Sequence, residues 1–507
     1  MRKLRQKLAP RKVLIAHRSE IALRIQAACH ARGIATVAVY CPDDRNAAFV
    51  AGADEAYALS KQGYEAYTDV DALIAIAHKA GADALHPGYG FLSENAQAAQ
   101  KITDDGLIWI GPRPEVIALM ADKVAARKRM KAAGVPVVPG WVVTDFSPAG
   151  KEAAWREAQK VGFPLIIKDP YGGGGKAMQC VRRAEDFPSV LVAVHAQAQR
   201  LTGSTCLLIE KFIEQSRHVE VQIAGDGQNF IHLFERECSV QRRHQKIIEE
   251  TPCISVPGNV LECMYDVALR AAQGVAYDSI GTVEFIVTPD NNFYFLEMNT
   301  RLQVEHAITE MVTGIDLVTL QLDVATHQVL PFVQGDVVRR GHAVECRLYA
   351  EDPATNFTPS TGTITYLHMP SQPFTRCEHD LYQGVEVTPF FDPMLAKCIT
   401  WGITRQEAIN RMTAMLRSLA ICGVTTNQNF LRAIMMSDEF ARGDIDTQRA
   451  TEPEFMQRML RAHDGMHDDG LAAGLAVAIA AYAREKSGRD VAETTVSVRG
   501  WRELQWR

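Results

Sequence analysis

The sequence predicts an α/β protein that opens on a parallel sheet, carries a small α+β insertion and continues as a strand-rich body. Three observations predict it. A buried-type strand, an amphipathic helix and a second strand follow one another between Val13 and Tyr40. A glycine run sits between two short apolar strands near Lys168. From His218 onward, strand patterns outnumber helical ones.

Val13 to Ala16 reads as a buried strand, Ile21, Ile25 and Ala28 share a helical face, and Gly33 offers a stop before the strand Ala35 to Tyr40. No GxGxxG follows the first strand, so a dinucleotide fingerprint is not supported. A helix over Asp71 to Ala80 leads to the turn-rich His86-Pro87-Gly88-Tyr89-Gly90, and one continuous helix is expected from about Glu115 to Ala133. Gly134, Pro136 and Pro139 mark a boundary. The insertion then runs through strands Pro164 to Lys168, Met178 to Val181 and Cys206 to Glu210. His218 to Ile223 alternates strictly, as a half-buried strand does, and turns at Gly225-Asp226-Gly227 into Phe230 to Phe234. Thr282 to Thr288 and Asn292 to Leu296 form a second hairpin around Pro289-Asp290-Asn291.

The 507 residues exceed a single core, so roughly two to four domains are expected. A formal net charge of −6 argues against a general nucleic-acid binder. The 11 cysteines form no CxxC pair, which fits a reducing cytoplasm better than a disulfide framework or zinc site. Met1 to Lys12 lacks the apolar stretch of a secretory signal, and the longest apolar run, Leu471 to Tyr482, is too short to span a bilayer.

The richest segment is Glu297-Met298-Asn299-Thr300-Arg301-Leu302-Gln303-Val304-Glu305. Read with a period of two, one side carries Glu, Asn, Arg, Gln and Glu and the other Met, Thr, Leu and Val, the pattern of an extended strand. A solvated strand edge would show the same alternation. Pairing of the upstream hairpin should bring Glu284 and Glu297 together at the end away from the turn. Two facing carboxylates repel unless a cation lies between them, and magnesium takes oxygen ligands that it shares with phosphates. Asn299 could add a neutral oxygen, while a surface charge pair is the competing reading.

Lys168 precedes Gly172-Gly173-Gly174-Gly175-Lys176. Glycines let backbone N–H groups approach phosphate oxygens, although no Ser or Thr follows Lys176 as a Walker A loop requires. A flexible linker is the alternative. The basic run Gln241-Arg242-Arg243-His244-Gln245-Lys246 could pair locally with Glu249 and Glu250 or serve an anion site.

In their order these features resemble the biotin carboxylases of the ATP-grasp superfamily, from about residue 11 to 450. The resemblance rests on Ala84 to Asn95 (ALHPGYGFLSEN), Gln241 to Lys246, Glu297 to His306, and Gly341 to Arg347 (GHAVECR). It implies a Rossmann-like N-terminal domain over residues 1–120 and an ATP-grasp lid with its connecting helix over 121–211. The main ATP-grasp domain and a mixed α+β C-terminal domain would span 212–456, with an extension over 457–507. Motif by motif, it implies ATP contacts at Lys123, Lys168, Gly173, Gly174, Gly175, Glu210, Lys211, His218, Gln241 and His244. Metal ligation falls to Glu284, Glu297 and Asn299, for two Mg2+ (or Mn2+) ions. Lys246, Arg301, Gln303 and Val304 would surround bicarbonate. Glu305 matches the general base and Arg347 the residue facing the biotin ureido oxygen, with Lys246 and Arg301 also in the catalytic set.

The implied reaction is MgATP- and bicarbonate-dependent carboxylation of biotin through carboxyphosphate, serving an acyl-CoA carboxylase. No Ala-Met-Lys-Met motif occurs, so biotin is expected on a separate carrier protein or domain. The other expected partners are a second copy of the chain and a carboxyltransferase subunit, with neither nucleic acid nor membrane. Two departures stand out: His17-Arg18-Ser19-Glu20 replaces the family's Asn-Arg-Gly-Glu, and Asp169-Pro170-Tyr171 and Lys176-Ala177-Met178 replace Ala-Ser-Gly and Lys/Arg-Gly-Met around the glycine loop. They motivate the alternatives of a weakly active regulatory paralogue or a different ATP-grasp carboxylate ligase. The Ala-rich 471–482 segment and Gly500-Trp501-Arg502 resemble the start of the linker in longer acyl-CoA carboxylase α-subunits; a helix packed on the body is the other reading.

Overall fold

A computed structural model describes residues 10–171, 177–243, 245–327 and 329–462. The glycine run at 172–176, His244 and the segment 471–482 therefore lie outside the described residues.

The first layer is the expected parallel sheet. Strands β1 (Lys12–Ile15), β2 (Ala35–Tyr40), β3 (Glu55–Ala58), β4 (Ala84–His86) and β5 (Ile108–Trp109) run in the order β3-β2-β1-β4-β5, every pairing parallel. Helix α1 (Ser19–Ala31) makes the first crossover, with Ile21, Ile25 and Ala28 buried as the periodicity predicts. Helices α2 (Val70–Ala80) and α3 (Ala96–Asp104) cover the sheet from its other connections. Such sheets bury both faces, which is why β1 reads as an unbroken apolar run.

The helix expected over 115–133 is two helices, α4 (Pro114–Ala121) and α5 (Lys123–Ala132). Asp122 breaks it: with ψ near 100° it leaves the helical region, and its carboxylate accepts from the N–H groups of Val124 (2.9 Å) and Ala125 (3.0 Å). A short acid side chain competes for backbone donors in this way and favours a cap over a helix interior.

The insertion is a four-stranded antiparallel sheet, β6 (Gly140–Val143), β7 (Leu165–Lys168), β8 (Met178–Val181) and β9 (Leu207–Lys211), ordered β6-β9-β7-β8. Helices α6 (Pro148–Val161) and α7 (Phe187–Thr202) close its core. Asp169, buried at the end of β7, accepts from the Tyr171 N–H (3.1 Å) and the Thr202 hydroxyl, tying the start of the glycine segment to α7.

The body is one eight-stranded antiparallel sheet. Its strands are β10 (Arg217–Gly225), β11 (Phe230–Arg242), β12 (Gln245–Thr251), β13 (Ile280–Val287), β14 (Phe293–Asn299), β15 (His342–Tyr349), β16 (Thr375–His379) and β17 (Met394–Gly402). Their order is β14-β13-β10-β11-β12-β15-β17-β16, so the sheet runs unbroken across most of the segment 212–456. Helix α8 (Gly258–Gly274) packs on one face against Val219, Val221 and Ile223. The opposite side of β10 is not solvated as strict alternation suggested: His218, Glu220 and Gln222 are buried too. Helix α9 (His306–Thr313) covers β15 and β17 through Ala307, Ile308 and Val312, α10 (Leu317–His327) packs with the N-terminal layer, and α11 (Arg405–Ser418) lies on the far face of β15 and β17. Among the described residues no helix is long and apolar enough to cross a membrane.

Candidate active site

Strand register writes the first half of the site. Arg236, Glu220, Glu284 and Glu297 stand directly opposite one another on β11, β10, β13 and β14, a straight row of one cation and three carboxylates. Glu284 and Glu297 thus meet as the hairpin predicted, at an irregularity in the ladder next to Phe285. Arg236 has no exposed surface and donates to Glu220 (2.6 Å), Gln222 (2.7 Å), Thr309 (2.9 Å) and Thr282 (3.1 Å). Lys246, reaching in from β12, contacts Glu220 (2.6 Å), Glu305 (2.7 Å) and Glu284 (2.9 Å) at once.

The strip 297–305 is not the extended strand its alternation suggested. Strand β14 ends at Asn299, residues 301–305 form a turn, and Glu305 is the N-cap of α9. The polar side chains still converge, because the turn folds them back on one another. Arg301 donates to the Asn299 oxygen (2.9 Å) and the Gln303 oxygen (3.0 Å) and pairs with Glu94 (3.1 Å) of the 84–95 motif. Asn299 and Gln303 each donate to Glu284, at 2.8 and 3.2 Å. The Glu305 side chain caps no backbone N–H of its helix; its two oxygens meet Lys246 (2.7 Å) and Arg347 (3.0 Å). Arg347 in turn is held by Glu249 through its Nε (2.6 Å).

Burial and charge set the protonation states. Burial raises the Glu305 carboxyl, but Lys246, Arg347 and Arg236 outweigh it and hold the group well below the usual carboxylate range. Glu284 is likewise pushed down, against its burial, by Lys246 and His218. Glu297 goes the other way: burial and the charge of Glu284 raise it. Burial also lifts Glu249 to about 7, although Arg347 opposes the shift.

Of the residues to which the resemblance assigns ATP contacts, Lys123, Lys168 and Glu210 line a cleft between lid and body together with Leu208, Phe295 and Glu297. Glu210 pairs with Lys168 and with Arg127 (2.7 Å). The Lys211 ammonium bonds the carbonyls of Phe163 (2.8 Å) and Gly162 (3.1 Å) within the lid. His218 Nε2 lies 2.9 Å from Glu284, and Gln241 reaches the other ring nitrogen at 3.0 Å. Gly173, Gly174, Gly175 and His244 fall outside the described residues.

The donor set suits a divalent cation. Glu297 stands opposite Glu284 and is raised by its burial and then by that neighbouring charge, and two facing carboxylates offer the hard oxygen ligands that magnesium takes. Asn299 fits less directly, because it presents its nitrogen to Glu284 and its oxygen to Arg301. Among the described residues, groups of three potential ligands are His218, Glu220, Glu284 and Glu220, Cys238, Glu305.

Sequence reasoning missed Glu220, Arg236, Glu249 and Glu94. Among the described residues Glu249 and Glu250 form no ion pair with the 241–246 run, contrary to a local salt-bridge reading; Glu249 holds Arg347 and Glu250 holds Arg405 (2.6 Å). A signal for Glu220 was present, since His218, Glu220 and Gln222 alternate as one polar face. Nothing local points to Arg236.

Family models match along most of the chain: "Biotin carboxylase, N-terminal domain" over residues 9–117, "Carbamoyl-phosphate synthase L chain, ATP binding domain" over 122–333, and "Biotin carboxylase C-terminal domain" over 345–452. The chain belongs to the biotin carboxylase family. Among biotin carboxylase relatives, "Biotin carboxylase 2" of Bacillus subtilis is 46% identical over 438 residues, 86% of this chain and 98% of the relative. The "Biotin carboxylase" of a Nostoc species is 43% identical over 438 residues, 86% of this chain and 97% of the relative. A solved biotin carboxylase domain dimer of Hydrogenobacter thermophilus 2-oxoglutarate carboxylase, in complex with MgADP, ADP and bicarbonate, superposes with a TM-score of 0.84 at 39% identity, covering 89% of this chain and 99% of that one. The Campylobacter jejuni biotin carboxylase, solved as a β-γ-ATP complex, gives 0.83 at 39% identity, with 87% and 98% covered.

Proposed function

We propose that this biotin carboxylase uses MgATP and bicarbonate to carboxylate biotin on a separate carrier, with Glu305 as the base and Arg347 as the group facing the biotin ureido oxygen. One observation carries the assignment of roles: the Glu305 carboxylate is suspended between Lys246 and Arg347 at the end of a turn that also presents Arg301 and Gln303.

At rest Glu305 is ionised but weakly basic, because two cations share its charge. An anion that competes for Lys246, and a biotin oxygen that competes for Arg347, return basicity to the carboxylate when a proton must be removed. Bicarbonate so activated attacks the γ-phosphorus of ATP, giving carboxyphosphate and ADP. Lys123 and Lys168 face the cleft where the phosphates lie and offset their charge. Glu284 and Glu297 would hold a divalent cation, which would supply further charge neutralisation for phosphoryl transfer. Carboxyphosphate releases carbon dioxide, the phosphate accepts the biotin N1′ proton, Arg347 stabilises the enolate oxygen that develops, and N1′ attacks the carbon dioxide to give carboxybiotin. The lid excludes water from the intermediate.

The carrier and a carboxyltransferase are the working partners in this reading, a second copy of the chain completes a homodimer, and the cytoplasm is the compartment. The cysteines, all free thiols, support that last point. The deciding experiment is an ATPase assay with bicarbonate, magnesium and free biotin, comparing wild type with Glu305→Gln and Arg347→Ala. Bicarbonate-dependent turnover should fall by about 100-fold or more in Glu305→Gln, and equal rates in all three proteins would overturn the assignment.

A further inference from the structure

We propose that Lys397 is a positioning residue for the bicarbonate turn, its buried ammonium pinning the Val304 carbonyl and thereby placing Glu305. The inference rests on the reading of Gln303 to Glu305 as that turn.

Lys397 lies on β17, opposite Arg347 of β15 on one side and Glu378 of β16 on the other. It has no exposed surface, so no substrate reaches it. Its ammonium donates to the Val304 carbonyl (2.9 Å) and sits 2.6 Å from Glu378, 3.6 Å from Glu20 and 5.9 Å from the centre of the Tyr89 ring. The link to Val304 spans 93 residues of sequence.

The turn needs such a support. Residues 301–305 belong to no strand or helix, so the ladder that fixes Asn299 does not reach Glu305. Two carbonyls are held instead: that of Gln303 by the His306 ring (2.8 Å), and that of Val304 by Lys397. A carbonyl and the following N–H share one rigid plane. Fixing the Val304 oxygen therefore fixes the peptide plane that carries the Glu305 nitrogen, from which the carboxylate starts toward Lys246 and Arg347.

Stability alone does not explain a lysine here. A buried ion pair commonly adds little over an apolar pair of the same size, because desolvation cancels the attraction. What an apolar residue could not do is donate to the Val304 carbonyl while leaving the site face of the sheet balanced around Arg347.

The test compares Lys397→Met/Glu378→Gln, which removes one cation and one anion together, with Lys397→Arg, which keeps the charge but moves the donor. Bicarbonate-dependent ATPase of the wild type is measured first; its absence would overturn the functional reading independently of this one. In the double variant, with circular dichroism like that of the wild type, the bicarbonate KM should rise about tenfold or more while the MgATP KM stays within about twofold. In Lys397→Arg the bicarbonate KM should rise as well, by a smaller factor. An unchanged bicarbonate KM in a folded double variant overturns the proposal. So does loss of activity with both KM values unchanged, the mark of fewer folded molecules, and so does failure of both variants to fold, which would make Lys397 a stability residue only.

Discussion

Asp380 shows how a single buried acid couples this fold to pH. It accepts from the Phe49 N–H (3.2 Å), and burial lifts its carboxyl to about 6 despite that bond and the nearby Arg18. The folded protein therefore holds this proton more tightly than the unfolded chain between about pH 4 and 6. The resulting stabilisation is complete below the unfolded value and is lost as pH rises through about 6. Asp380→Asn should accordingly be more stable than wild type at pH 7.5, by on the order of 2–3 kcal/mol at most, with the difference vanishing near pH 4. Urea melts at both pH values would check this. Ala177 makes a second case. It sits at φ +50°, a left-handed conformation, where the resembled family carries glycine, and its methyl is buried in the lid core. Relief of backbone strain and loss of methyl burial should offset each other within about 1 kcal/mol in Ala177→Gly. The freed loop base should lower the MgATP KM. A KM that rises would show that the strained alanine helps place the loop.

At the scale of elements, legibility follows sequence distance. Glu284 and Glu297 were readable because they belong to one hairpin whose turn sets the register. The partners of Lys246 were not: Glu220 and Glu305 lie 26 and 59 residues away, and only sheet order brings them together. The 297–305 strip was read with the right residues and the wrong backbone, since a period of two cannot show that the ladder stops at Asn299. The helix over 115–133 failed for a different reason, a side-chain cap at Asp122 overriding apolar spacing. That cap invites a prediction. Asp122→Ala leaves two N–H groups unsatisfied at the start of α5, which should cost about 1 kcal/mol in a thermal or urea melt. Because Lys123 is the first residue of α5, the MgATP KM should rise while the bicarbonate KM holds. A changed bicarbonate KM alone would contradict that division.

For the whole molecule, the cleft proposed to take the nucleotide joins two separately cored parts, the lid sheet and the eight-stranded body. A ligand seated between them stabilises both against opening. MgADP at about 100 times its Kd should add about 2.7 kcal/mol to the parts it bridges, visible as a raised melting temperature in scanning fluorimetry. In a Glu284→Gln/Glu297→Gln variant the magnesium-dependent portion of that shift should disappear. An identical shift with and without magnesium in the wild type would count against the carboxylate pair as the cation site. At this scale the parallel N-terminal layer was legible from its β-α-β opening, and three of the four lid strands from their apolar runs, whereas the antiparallel pairing of the lid and its strand β6 were not. The single eight-stranded sheet was not, because β15 and β17 join it across long intervening segments.

Lys246, Arg236 and Arg347 interlock with Glu220, Glu284, Glu305 and Glu249 within hydrogen-bonding distance, so the cluster is close to neutral as a whole. Opposite charges so intermingled cast almost no field a few ångströms away, and buried pairs of this kind are little screened by salt. The cluster is electrostatically quiet. On the proposed reading, bicarbonate is not steered in from solution but recognised on arrival, by its fit to donors already in place, and its capture rate should barely respond to ionic strength.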